Sequence, residues 1–337
     1  MSHSNSPTAK SLGEHRIINI IQSRLSKMPL MPIPFGDDVS AVNLSENHVA
    51  ILKTDMLVGK TDVPKEMSLF QAARKAIVMN VSDFASKGVQ PTAALVALGL
   101  PTSFTQKDIE EIGDGLNAGA QEYGAYIIGG DTGEASDLIV SVSLFGTTQK
   151  RTLMLRNGAR VGDILAVTGV FGKSSAGLRL LLDKTCSIDA SSCRTLLESV
   201  LMPRARLKEG LALSGSGQVS ASIDSSDGLA WSLHELGRLS KVGFTLDVVP
   251  FGNEVKHFAE QNGLDASELA LYGGEEYELV LTVKPGGWDS AVAAVESVGE
   301  QLLPIGRAIK ERKILLTVDG DRRPVEARGW EHFKSHV

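Results

Sequence analysis

Aspartate recurs in this chain where an apolar run meets Gly, Ser or Thr. The sites are Gly36-Asp37-Asp38, Thr54-Asp55, Ser82-Asp83, Gly129-Gly130-Asp131-Thr132 and Ile223-Asp224-Ser225-Ser226-Asp227-Gly228. A single Asp of this kind is an ordinary turn residue. Five clusters, each abutting an apolar run, imply carboxylates gathered at the ends of packed elements. Carboxylates brought that close repel one another unless cations lie between them. Hard oxygen ligands favour Mg²⁺, which keeps coordination positions for water and substrate phosphates. The pattern points to phosphoryl transfer at a site holding several Mg²⁺ ions.

The elements that must position these groups follow from periodicity. Ile17, Ile18, Ile20, Ile21 and Leu25 form a helical stripe ending near Pro29. Residues 38–44 and 49–54 read as strands around a turn at Ser45-Glu46-Asn47, so Thr54-Asp55 is expected to close the second. Ser68 is placed to cap a helix running to Lys87, with Ala72, Ala73, Ala76, Ile77 and Phe84 on its buried side. Pro91–Leu100 is almost wholly apolar, as a strand covered on both faces would be. A helix over 107–123 and strands over 125–128 and 138–145 complete the first half. That order fits an α+β sandwich better than a doubly wound sheet. The polar, turn-rich stretch Arg156-Asn157-Gly158-Ala159-Arg160 marks a change of unit, placed at about residue 150. Strands over 164–168, 219–223, 243–248, 278–283 and 314–318 then alternate with helices over 174–182, 204–214 and 229–240. Residues 1–13 are expected to form a disordered tail, 14–150 an N-terminal domain and 151–337 a C-terminal α+β domain.

Each acidic motif also has a plainer reading. Asp83 lies four residues before Lys87, the spacing of a solvated helix ion pair worth ~0.3–0.5 kcal/mol. Asp55 and Asp224 could each cap a turn, and Asp227 or Ser226 could cap the helix that follows. Gly273-Gly274-Glu275-Glu276-Tyr277-Glu278 could be a loop with acidic edges. Val167 to Ser174 approaches a phosphate-binding P-loop, but Val167 stands where the first Gly is required. A tight strand-to-helix turn is the better account, and a phosphate at that helix end stays open.

The bulk composition limits the alternatives. At 337 residues the chain should hold two domains, because one core seldom grows past ~250–300 residues. A net charge of −6 and only 5% aromatic residues disfavour a nucleic-acid surface. Cys186 and Cys193 match no zinc spacing. No apolar run reaches the ~20 residues of a membrane span, and Met1 to Lys10 has no signal-peptide core. A cytoplasmic location is the simplest expectation.

Together the motifs resemble the thiamine-monophosphate kinase family, in the superfamily that also holds aminoimidazole ribonucleotide synthetase and selenophosphate synthetase. The resemblance rests on the Asp motifs with Lys53-Thr54-Asp55-Met56-Leu57 and Asn80-Val81-Ser82-Asp83. It extends through Arg156 to Asp163, the Asp224–Leu229 stretch, Gly273 to Glu278 and Gly329-Trp330-Glu331-His332-Phe333. It implies ATP-dependent phosphorylation of thiamine monophosphate to thiamine diphosphate. It also implies a two-domain, synthetase-like α+β fold whose N-terminal α/β sandwich pairs its sheet in a homodimer, with ATP between the domains. Carried over, Asp38, Thr54, Asp55, Asp83, Asp131, Asp224 and Asp227 would hold Mg²⁺, with Asp55, Asp83 and Asp224 as the catalytic set. Gly130, Asp131, Arg156 and Ser226 would contact ATP, and Glu275 and Trp330 the thiamine. Bacterial members carry a His near the substrate where this chain has Asp62, which makes it look archaeal there and leaves Asp62 as the substrate residue. No Cys precedes Cys186, which argues against selenophosphate synthetase, and the ending Ser335-His336-Val337 lacks the C-terminal Cys of the hydrogenase-maturation relative. An aminoimidazole ribonucleotide synthetase-like enzyme and a non-catalytic nucleotide-binding regulator remain as alternatives.

Overall fold

Two mixed β-sheets share one long helix in the computed structural model, which describes residues 7–333. The first sheet has five strands: β1 (Ser40–Asn43), β2 (His48–Val58), β3 (Pro91–Leu100), β4 (Tyr126–Glu134) and β5 (Ile139–Gln149). Their order is β1-β2-β5-β3-β4, antiparallel except for the β3–β4 pair. The second has seven: β6 (Ile164–Val167), β7 (Val219–Asp224), β8 (Gly243–Leu246), β9 (Leu279–Val283), β10 (Leu303–Ile309), β11 (Ile314–Val318) and β12 (Asp321–Pro324). Here the order is β12-β11-β8-β10-β6-β9-β7, with only β8 and β11 parallel. The architecture is two-sheet α+β. Of the expected tail, residues 1–6 lie outside the described residues, and Ala9–Leu12 make one helical turn.

The shared element is the helix Leu69–Lys87. Ser68 and Gln71 close a reciprocal capping box at its start, and Gly88 ends it in the left-handed region at φ 65°. It packs on β2 and β5 of the first sheet and on β7 of the second. Ile77, Val81 and Phe84 join one apolar core with Ile51, Val140 and Leu144 on one side and Leu279, Leu281 and Leu213 on the other. Because both sides are covered, the polar residues of this helix are buried too: Arg74, Lys75, Asn80, Ser82, Asp83, Ser86 and Lys87.

Three local expectations change. Strand β2 does not end at Thr54-Asp55 but continues to Val58, so both residues sit mid-strand opposite Ser143 and Val142. Likewise β4 runs through Gly129-Gly130-Asp131-Thr132 instead of stopping at Ile128. A side chain on Gly130 would collide with the Val96 carbonyl of β3, which is why the edge strand tolerates only glycine there. Finally, β3 is covered on one face only within this chain, and Leu95 remains 52% exposed.

Candidate active site

Three carboxylates from separate parts of the chain meet at the seam between the sheets. Asp83 comes from the last turns of the long helix, Asp224 from the end of β7, and Asp38 from the turn leading into β1. All three are buried, and their ligating oxygens lie within 4.8 Å of one another. Ser82 Oγ donates to Asp224 Oδ2 at 2.7 Å, and Ser86 Oγ donates to Asp38 Oδ2 at 2.7 Å.

Three cations offset part of this charge. Lys87, fully buried, places Nζ 2.7 Å from Asp37 and 2.6 Å from Asp38, and donates to the Ser222 carbonyl at 2.9 Å. It does not make the solvated pair with Asp83 that its spacing allowed; Asp83 pairs instead with Lys53 at 3.0 Å, which also reaches Asp55 at 3.2 Å. Arg156 grips Asp38 through Nε and Nη2, its Nη1 donates to the Gly36 carbonyl, and its backbone N–H donates to Asp37. Burial alone would raise the Asp38 pKa, but Arg156 and Lys87 outweigh it and hold that carboxyl well below the usual range. Asp83 goes the other way: burial, reinforced by Asp224, Asp55 and Asp38, outweighs Lys53 and pushes it well up. Burial and then Asp38 push Asp224 to about 6, and burial and then Glu14 push Asp227 to about 7.

The donor set fits a hard divalent cation. Five carboxylates (Asp37, Asp38, Asp55, Asp83, Asp224) face three cations in this network, so with all five ionised two negative charges would need a further cation. Buried alongside, Asn80 Oδ1 and Ser225 Oγ have no hydrogen-bond partner among the described residues. An added metal would supply both the missing charge and a partner for oxygen.

The remaining predicted residues divide into two groups. Ser226, Asp227, Glu275 and Trp330 are clasped together, Glu275 N–H donating to the Ser226 carbonyl at 2.6 Å and Trp330 N–H to the Asp227 carbonyl at 3.0 Å. Glu275 holds a left-handed φ of 61°, strain that this clasp must sustain. Lys75 Nζ joins Glu275 Oε1 at 2.5 Å to the Asp62 carbonyl at 3.0 Å. The Asp62 carboxylate itself accepts from Val58 N–H at 2.8 Å, so it closes the turn after β2. Thr54, Gly130 and Asp131 are not brought to the carboxylate cluster in this way. Asp131 falls in the cross-strand row Met56–Ser141–Ala97–Asp131 and Thr54 in the row with Ser143, Leu95 and Gly129, on the sheet face opposite Asp55.

The candidate residues named from the sequence left out Lys53, Lys75, Asp37 and Glu14, although Asp37 and Lys53 stand inside the quoted motifs, and the Asp83–Lys87 pair offered as the plainer reading does not form. A signal existed for the lysines. Lys53 is two residues from Asp55, hence on the same strand face, and Lys75 interrupts the small-residue stripe Ala72–Ala73–Ala76. The P-loop-like segment is also resolved. The half-buried Glu276 carboxylate accepts from the N–H groups of Gly172 and Ser174, at 2.6 and 3.3 Å. A carboxylate of the chain thus lies where a phosphate would bind at the start of the helix Lys173–Leu182.

Comparison with known proteins places these features in context. Residues 36–148 match the family "AIR synthase related protein, N-terminal domain" and residues 160–319 the corresponding C-terminal domain. The chain is 33% identical over 323 residues to the thiamine-monophosphate kinase of Nitrosopumilus maritimus, covering 96% of this chain and 99% of that protein. It is 34% identical over 301 residues to that of Pyrococcus horikoshii, covering 89% and 91%. A solved structure described as AaThiL complexed with AMPPCP and TMP superposes with a TM-score of 0.84 at 29% identity, covering 98% of this chain and all of that one.

Proposed function

The chain belongs to the thiamine-monophosphate kinase family, and from that premise we infer that it phosphorylates thiamine monophosphate to thiamine diphosphate with ATP, by direct in-line transfer at a multi-Mg²⁺ site. The observation that carries the reading is the convergence of Asp38, Asp83 and Asp224 within 4.8 Å at the seam of the two sheets. Asp38, Asp83 and Asp224, with Asp55 through its link to Asp83, would hold the ions. Mg²⁺ bound there supplies positive charge between two phosphate groups that otherwise repel.

The chain's own groups do the rest. The acceptor phosphate is already anionic, so no strong general base is required. None of the candidate residues has to accept a proton. Arg156 spends three of its five N–H donors on Asp38 and Gly36, leaving two for a nucleotide phosphate. Ser226 and Asp227 extend the nucleotide side. Glu275, anchored by Lys75, and Trp330, half exposed beside it, face the thiamine. Asp62 acts through its turn, holding the Gly59–Asp62 segment beside that pocket.

Gly130 falls in the row of Asp55, Val142 and Val96, whereas Thr54 and Asp131, on the other face, need a second element to join the site. The face they occupy carries exposed Leu52, Met56, Leu95, Tyr126 and Phe145, too much apolar surface to leave in water. A second copy packed on this sheet would cover it and bring these residues against a nucleotide. The working assembly is therefore a homodimer, with domains divided near residue 150. No described helix is long and apolar enough to cross a membrane, in keeping with a cytoplasmic enzyme.

The test is ADP release from ATP and thiamine monophosphate, with formylglycinamidine ribonucleotide as the competing acceptor. Asp83→Asn or Asp224→Asn should cut turnover about 100-fold or more while ATP affinity changes far less. Normal turnover in either variant refutes the assignment.

A further inference from the structure

The carboxylates of the cluster differ in what neutralises them. Asp38 has Lys87, Arg156 and Ser86, Asp37 has Lys87, and Asp224 has the Ser82 hydroxyl. Among the described residues, Asp55 and Asp83 have one ion-pair partner between them, the ammonium of Lys53. Strand alternation puts Lys53 and Asp55 on the same face of β2, and the long helix lays Asp83 over both. The Lys53 Nζ therefore lies in the gap that a cation bridging Asp55 and Asp83 would occupy, 3.2 and 3.0 Å from their oxygens. Asp83 is also one of the three carboxylates able to share a metal. One turn earlier on the same helix, fully buried Asn80 keeps its Oδ1 without a hydrogen-bond partner among the described residues, an oxygen left over for a cation.

We propose that Lys53 is a tethered counter-ion that exchanges with divalent metal: it bridges Asp55 and Asp83 in the metal-free chain and swings out when a metal ion enters. The inference rests on the reading of these carboxylates as a Mg²⁺ centre and adds to it a competitor built into the chain. A Mg²⁺ ion on the same Asp83 oxygens would cancel most of what the ammonium gains there, because its double charge would sit within a few Å of Nζ while it binds the carboxylates at shorter range. Lysine suits the role, since its four-carbon stem can carry the charge away without moving the strand. With 18% of the side chain exposed, it has a route to water. Without Lys53 the metal-free site would hold Asp55 and Asp83 together with no cation between them.

Two measurements test it. In the wild-type chain, amine acylation followed by peptide mass spectrometry should label Lys53 about tenfold faster with Mg²⁺ than with a chelator, while fully buried Lys87 stays protected in both. By calorimetry, Lys53→Met should bind Mg²⁺ about tenfold more tightly than wild type, having no internal cation to expel. If Mg²⁺ binds but leaves Lys53 labelling unchanged, or binds both proteins equally, the exchange is refuted while the metal centre stands. Absence of Mg²⁺ binding to either protein would overturn the metal centre and the exchange with it. Should Lys53→Met fail to fold, the labelling of the wild-type chain decides alone.

Discussion

Replacing Lys87 with Met separates two accounts of this residue by magnitude. A solvated helix pair with Asp83 would be worth ~0.3–0.5 kcal/mol, and its loss would be hard to detect. The structure instead buries Lys87 completely, with Asp37 at 2.7 Å, Asp38 at 2.6 Å and the Ser222 carbonyl at 2.9 Å. At an effective dielectric constant near 20, each such ion contact is worth about 6 kcal/mol before desolvation, which removes several kcal/mol per ion. Deleting one partner of a buried pair typically costs ~3–5 kcal/mol, because the other charge is left stranded. Arg156 still covers Asp38 in the variant, so the lower end applies, about 3 kcal/mol. The assay is urea unfolding without metal, followed by tryptophan fluorescence, since Trp231, Trp288 and Trp330 all lie in the C-terminal half that the Ser222 contact touches. Pairing Lys87→Met with Asp37→Asn should recover part of the loss through a double-mutant cycle. A loss below about 1 kcal/mol, or coupling to Asp83→Asn instead of Asp37→Asn, would refute the buried arrangement.

Other perturbations test other parts of the site. Asp224 and Asp227 have pKa values raised to about 6 and about 7, above their unfolded values, so their contribution to stability is present in acid and lost as pH rises through that window. In chelator, the melting temperature should therefore fall between about pH 4 and pH 7, and Asp227→Asn should flatten that fall; a slope unchanged in the variant contradicts the assignment. Lys75→Met, which frees Glu275, should raise the Michaelis constant for thiamine monophosphate about tenfold with little change for ATP, read from steady-state kinetics. Equal effects on both substrates would place Lys75 in general packing. Leu95→Glu, on the exposed face of β3, should convert a dimer to monomer by sedimentation, and a dimer that persists would move the interface elsewhere.

Much of the architecture was legible because it follows local rules. The capped helix from Ser68 to Lys87, the helix starting at Leu229 and the strand Ile314–Val318 lie where periodicity and capping residues put them. Strand ends were less legible. Thr54-Asp55 and Gly130-Asp131 look like breaks from sequence, yet β5 and β3 supply the hydrogen bonds that carry both strands onward. Helices such as Ala190–Leu201 and Asn253–Gln261 and the strand β10 were not foreseen, since their apolar faces are short and interrupted.

The aspartates themselves, and through their types and order the family, belong to the sequence: carboxylates beside small residues at the ends of apolar runs are a local, chemical pattern. Which charge answers which was decided only by the folded chain. Lys87 chose Asp37 and Asp38 over the Asp83 one turn away, Lys53 took the place between Asp55 and Asp83, and Glu276 filled the helix start that looked ready for phosphate. Partners of the buried carboxylates, such as Ser86 on Asp38 and Ser82 on Asp224, are set by direction and burial across elements some 50 to 140 residues apart in the chain, and linear spacing carries no record of that.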